Sequence, residues 1–391
     1  MFPELTIVGA PRERGRAYGA AVAPLIRHSI ASYARLFATR RGLDWAASQV
    51  EALRFTPLLR EVAPDLLEEM AGIAEGAARD LGEIVALNVR TELMAGIPSG
   101  TYHPEGPAAL ARNRAAGVPE LPPEALPPTT AVASPADAGE CTTAAATAPA
   151  TRDGRTLLAQ TWDWQGDQRA ACLMLRIHAP NEPAILTMTE AGMVAKIGMN
   201  SAGLAVGLNL LRSLNDGRTV GMPVHVLLRK MLQAQSFATA RAVVDRAPAA
   251  GSSCLTLASR EGNLVSLEIN PTGVSEVWAD HGILAHANHC LDATAAATEC
   301  PLEPTSSSRE RSGRAWSMLR GAAGQIDAAL LRTILTDHTD EPRCICRHPD
   351  PRVARLDRGE SICGLIIDPA AATIAVAPDL PCRVPFTEIS L

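Results

Sequence analysis

Residues 140–165, ECTTAAATAPATRDGRTLLAQTWDWQ, decide how this chain is read. Cys141 opens a short run of small residues, so a ligand can approach its thiol closely. Leu157–Trp162 follows as an apolar, strand-like run beyond a turn-forming Arg-Asp-Gly. Asp163 then stands between Trp162 and Trp164, two of only five tryptophans in the chain. A nucleophile followed by its first strand pair is the arrangement these residues imply.

Working outward, the C-terminal side carries strand signals at Cys172–His178, Ala184–Thr189, Val194–Met199 and Leu204–Leu210, with Asn200-Ser201-Ala202-Gly203 as a turn. Helical spacing returns at Val224, Leu227, Leu228 and Met231, and again over Phe237–Asp245. Strands are expected at Cys254–Ser259, Leu264–Ile269, 274–278, 283–286, Ile362–Asp368 and Thr373–Ala377, and helices at 309–321 and 326–337. On the N-terminal side a strand is expected over residues 2–8. Arg12 to Ala38 mixes small and apolar residues as a closely packed helix would. Leu66, Met70, Ile73, Ala77 and Leu81 share one helical face behind Pro64, with Gly82 as the expected stop and a second helical run from Glu83 to Ala95.

Gly96–Gly139 changes character. It holds nine prolines, many alanines and almost no apolar periodicity, which reads as a long loop. Loops of this length are usually functional or disordered. Its place before Cys141 fits a flap or pro-segment, and equally a tolerated surface insertion.

The chain has 391 residues and a formal net charge of −6, which gives no electrostatic footprint for nucleic acid. The start of the chain lacks a secretory pattern and no apolar run suits a bilayer, so a soluble, cytoplasmic protein without membrane partners is expected. Nine scattered cysteines, an odd number, suit reduced thiols rather than a disulfide framework. The Cys344-Ile345-Cys346-Arg347-His348 run crowds two thiols and an imidazole. No second paired cluster accompanies it in sequence, so no metal is expected. Phosphate-loop, serine-hydrolase and metalloprotease motifs are absent.

Eight blocks in order resemble a known family: ERGRAYG (13–19), GIAEGAARDLGEIVALNVRTEL (72–93), CTTA (141–144), QTWDW (160–164), TEAGMVAKIGMNSAGLAVGLNLL (189–211), GMPVH (221–225), HANHCL (286–291) and GLIID (364–368). Together they resemble the isopenicillin N acyltransferase-like cysteine N-terminal nucleophile hydrolases. Periodicity alone says only α+β. The resemblance implies that family's four-layer αββα sandwich, as one domain over 1–391. It further implies a cut at Glu140–Cys141, giving an N-terminal chain 1–140 with the Pro/Ala-rich insertion 96–139, and a C-terminal chain 141–391 carrying the nucleophile. The two chains would stay associated.

In that reading Cys141 attacks the carbonyl of Glu140, and hydrolysis of the resulting thioester frees its α-amine. That amine, with a reference pKa of roughly 7.7–8, then serves as base for the adjacent thiol. By resemblance Asp163 orients the amine, Asn288 and then Asn209 are the oxyanion donors, and Arg358 lies near the cleavage site. Arg347, Trp162 and Trp164 are candidate substrate contacts. Thr161 stands where the family commonly has asparagine. Of 36 basic residues only Lys196 and Lys230 are lysines, so an ordinary surface role for Arg358 stays open. His286 and His289 read as core or strand-end histidines.

The implied activity is cleavage of a linear amide through a Cys141 thioester, with the acyl group passed to water and no cofactor. Acyl-CoA-dependent transfer to a small amine is the alternative, with acyl-CoA as substrate. An unprocessed, inactive binding protein on the same fold is a third. The partner is in the first two cases a small-molecule amide or acyl donor.

Overall fold

A computed structural model describes residues 1–95, 103–121, 141–303, 306–341 and 343–391. Two sheets lie face to face. The larger has eight strands in the order Glu4–Val8, Cys172–His178, Ile185–Glu190, Ile197–Asn200, Leu204–Leu210, Ser253–Ser259, Leu264–Asn270 and Gly273–Trp278. Its first pair is parallel and the others antiparallel. The smaller is antiparallel throughout, in the order Ile283–His286, Thr142–Ala146, Leu157–Gln165, Gly359–Asp368, Thr373–Ala377 and Thr387–Ser390.

Alternation along the strands assigns each face. Thr143 and Gln160 reach across to the larger sheet, where Thr143 donates to Asn209 Oδ1 at 2.7 Å and Gln160 Oε1 accepts from the Leu208 N–H at 2.9 Å. Ala144, Ala146, Leu157 and Ala159 point the other way, into a second core with Ala315, Leu319, Leu331 and Ile334 of the helices Ser308–Gly321 and Ala328–Leu335. The helices Pro11–Ala21, Ala23–Arg41, Pro64–Ala77 and Val224–Leu232 cover the opposite side of the larger sheet, in the main core. Helix, sheet, sheet, helix is the four-layer αββα sandwich of the N-terminal nucleophile hydrolase fold, since a two-faced sheet must bury both faces against another layer.

The small residues of the first helix are explained by a backbone-close crossing. A Cβ at Gly15 would fall 2.1 Å from Glu69 O, one at Gly19 2.2 Å from Ile73 O, and one at Gly76 2.1 Å from Arg16 O. Only glycine lets the two helices approach that far.

Two expectations are corrected. Gly82 does not end the helix begun at Pro64: that helix stops at Ala77 with Ala78 left-handed at φ +52°. Asp80 and Glu83 then form a capping box that starts a new helix, Leu81–Asn88, with Gly82 inside it. Asp-x-x-Glu was the readable signal, and it outweighs the glycine. Within 96–139 the expected uninterrupted loop is also wrong, because Gly106–Ala115 is a helix. It escapes apolar periodicity because polar contacts dock it: Asn113 Oδ1 accepts from the Trp45 N–H at 2.6 Å, and its Nδ2 donates to Ala34 O at 3.3 Å. Among the described residues no helix is long and apolar enough to cross a membrane.

Candidate active site

Cys141 lies at the head of the strand Thr142–Ala146, one strand in from the edge of the smaller sheet and on its inward face, buried with the main core. The pairing of Thr142 with Thr161 sets the local geometry, and the Thr142 N–H donates to Thr161 Oγ1 at 3.2 Å. Beside that pair, the Asp163 main-chain N–H hydrogen-bonds to the Cys141 thiol sulfur. Glu140 lies outside the described residues.

Asp163 is 1% exposed and its Oδ1 accepts from the Ser361 hydroxyl at 2.7 Å. Ser361 is opposite Asp163 on Gly359–Asp368. Its N–H donates to Arg347 O and its Oγ accepts from the Arg347 N–H, both at 2.9 Å. Arg347 thus joins the site through its main chain. Burial pushes the Cys141 thiol up to about 12, and the Asp163 charge pushes the same way. The Asp163 main-chain N–H, Lys196 and Arg311 oppose that rise. The net rise holds the thiol protonated.

One residue that sequence reading missed organises the other side. Arg311, buried on Ser308–Gly321, donates from Nη1 to Cys141 O at 2.8 Å and to Thr142 Oγ1 at 2.7 Å. Its Nη2 donates to Asn288 Oδ1 at 3.0 Å and its Nε to Ser307 Oγ at 3.1 Å. The guanidinium's fixed fork lets one side chain hold several partners in register. Arg311 recurs with Ser308, Ser312, Ala315 and Leu319 on the buried stripe of its helix, and with two serines on that stripe the sequence alone does not mark it as the inward face.

The two asparagines differ. Asn288 Nδ2 donates to Leu210 O at 3.0 Å while its main-chain N–H donates to Ser308 Oγ at 2.7 Å. Asn209 accepts from Thr143 at Oδ1, and its buried Nδ2 has no partner among the described residues. A buried unsatisfied donor is costly and calls for an explanation. Asn209, on the strand facing Cys141 from the other sheet, has the uncommitted amide.

Arg358 is not brought to this group. Its Nε donates to Val353 O at 2.7 Å and its Nη2 to Pro351 O at 3.1 Å, so its guanidinium ties down its own loop. Trp162 and Trp164 are buried, and a cation sits on a face of each: Lys196 Nζ lies 3.3 Å from a Trp162 ring centroid and Arg90 Cζ 4.3 Å from a Trp164 one. Lys196 also donates to Glu190 Oε2 at 2.7 Å. His286 is buried against Glu268 at 2.7 Å, and His289 against Ser308 at 2.7 Å.

With this geometry in view, the chain matches the acyl-coenzyme A:6-aminopenicillanic acid acyl-transferase family over residues 150–380, more than half its length. It belongs to that family. It is thus an enzyme of amide hydrolysis or acyl transfer. A curated relative, the 40 kDa form of acyl-coenzyme A:6-aminopenicillanic-acid-acyltransferase of Emericella nidulans, is 29% identical over 351 residues, covering 88% of this chain and 84% of that one. Solved structures similar to it include a penicillin V acylase from Agrobacterium tumefaciens (TM-score 0.40, 13% identity, 64% of this chain and 86% of that chain). Another is a mutant form of the conjugated bile acid hydrolase from Clostridium perfringens (TM-score 0.42, 11% identity, 64% and 97%). Both are distant likenesses.

Proposed function

We propose that Cys141 is the nucleophile of an autoproteolytically activated amide hydrolase, freed as a chain N-terminus by cleavage of the Glu140–Cys141 bond. The observation that supports this best is that the Asp163 main-chain N–H meets the Cys141 thiol while Arg311 grips the Cys141 carbonyl. In the intact chain the thiol gives up its proton as it adds to the Glu140 carbonyl. The N–C bond breaks, the amine takes a proton, and water releases the thioester to leave a free carboxylate on 140. The new α-amine is then the group beside Asp163, whose charge strengthens it as a proton acceptor. Asn209 Nδ2 is the donor available to an oxyanion at the Cys141 acyl centre.

Substrate acylation repeats the chemistry: the thiolate adds to a linear amide, the amine leaves protonated, and water takes the acyl group. A small-molecule amide is the substrate class and no cofactor takes part. Transfer to a small amine from acyl-CoA is the second reading, favoured by the curated relative's name. An unprocessed binding protein is the outcome if no cut occurs.

The test is the mass of the purified protein under denaturing, reducing conditions. By proportion of 41.2 kDa, wild type is expected as chains of roughly 15 and 26 kDa, with Cys141→Ala intact because its nucleophile is gone. An uncut wild-type chain overturns the mechanism.

A further inference from the structure

The Cys344–His348 run has a second consequence, because the fold brings distant ligands to it. The ligand atoms of His338, Cys346, His348 and Cys382 all lie within 4.8 Å of one another. His338 Nε2 is 3.1 Å from His348 Nε2, and His348 Nε2 is 3.2 Å from Cys382 Sγ. A tetrahedral zinc, at ~2.0–2.1 Å from nitrogen and ~2.3 Å from sulfur, sets its ligand atoms roughly 3.4–3.8 Å apart. These four atoms reach that spacing with shifts of about 1 Å or less. Two sulfurs and two imidazole nitrogens are also the soft donor set that zinc takes in closed structural sites.

We propose that His338, Cys346, His348 and Cys382 bind one structural zinc ion. On binding, the two thiols lose their protons to solvent, so two thiolates balance the dication and two neutral imidazoles complete the shell. Glu341 and Arg383 flank His348 with opposite charges. Sequence spacing hid the set, since two ligands come from one short run, His338 stands singly between that run and the end of the helix Ala328–Leu335, and Cys382 comes from beyond the strand Thr373–Ala377. Cys344, the remaining thiol of the run, instead donates to Cys346 O at 3.0 Å.

The backbone is already fixed for the purpose. The Cys346 N–H donates to Asp337 O at 3.1 Å, and Asp337 is held by Arg314 at 2.8 Å. An ion here clips three chain segments together. The clipped run continues into Arg347, whose main chain holds Ser361 and through it Asp163. The zinc therefore braces the support of Asp163 from outside, touching no reacting atom. Binding of the ion does not rest on the role given to Cys141.

The experiment uses the full chain, expressed with zinc in the medium and exchanged into chelator-free, reducing buffer. Elemental analysis is expected to give about one zinc per chain in wild type and under about a tenth of that in Cys382→Ser and His338→Asn. Cys382 and His338 are exposed, so both variants are expected to keep wild-type far-UV circular dichroism. Cobalt exchanged into the wild type is expected to show thiolate-to-metal charge-transfer absorption, and the variants to lack it. No stoichiometric metal in wild type with its thiols reduced, metal retained by both variants, or a Cys346–Cys382 disulfide recovered in place of the ion would each overturn the proposal.

Discussion

Two buried polar clusters, one behind the tryptophans and one around Cys141, are wired differently. In the first, Glu190 accepts from Tyr33 at 2.5 Å, Lys196 at 2.7 Å and Arg90 at 3.3 Å, all deep in the core. Side chains close on side chains there. In the second, Arg311 holds a main-chain carbonyl and a side-chain amide, and Asn209 keeps a donor uncommitted. Density of buried charge is therefore a poor guide to reactivity. The more telling mark is which cluster grips backbone next to a bond that could be cut.

The largest effect expected from breaking this contrast is on stability. Glu190→Gln strands Lys196 and Arg90 and is expected to cost about 3–5 kcal/mol in denaturant unfolding. Burial alone would raise the Glu190 carboxyl, but Lys196 and Arg90 outweigh it and bring it down from 4.5 to about 2. The folded carboxylate then binds fewer protons than the unfolded one between these values. Its contribution is full above about pH 4.5 and is lost as pH falls toward 2, a slope the variant should flatten. A wild-type stability independent of pH across that window would contradict the pairing.

Asn209→Ala sharpens the contrast from the other side. It removes the uncommitted donor and should slow turnover on the order of a hundred- to a thousandfold while leaving the melting temperature within a few degrees. A variant with unchanged kcat would remove Asn209 from the acyl centre. The smallest change is Ser361→Ala, which deletes the hydrogen bond to Asp163 and the one accepted from the Arg347 N–H. It is expected to cost about 2 kcal/mol of stability and to slow chain cleavage measurably in a time course by mass.

The strands were legible because they are short, apolar and punctuated by turns: Cys172–His178 and Leu204–Leu210 run between the same residues in sequence and structure, while their stacking into four layers came only from the family resemblance. Gly106–Ala115 was not legible, because Asn113 rather than an apolar stripe fastens it. At the proposed site, Cys141 and Asp163 are singled out by the small and aromatic residues around them together with the ordered family blocks. Arg311 could not be separated from the chain's many arginines without knowing which helical face is buried. The state of Asn209 depends on what the opposite sheet offers its amide, and no local pattern carries that.

The parallel pairing of Glu4–Val8 with Cys172–His178 has a last consequence. A cut after Glu140 would part the chain without parting the sheet, because its edge strand comes from one fragment and its interior from the other. Tyr18, whose hydroxyl donates to Met193 O and accepts from the Gly192 N–H, and Arg229, paired with Glu69 at 3.0 Å, stitch the same seam. The two products would be born already assembled, as subunits that never had to find each other by diffusion. Dilution would then be a far weaker threat to them than to any pair made separately.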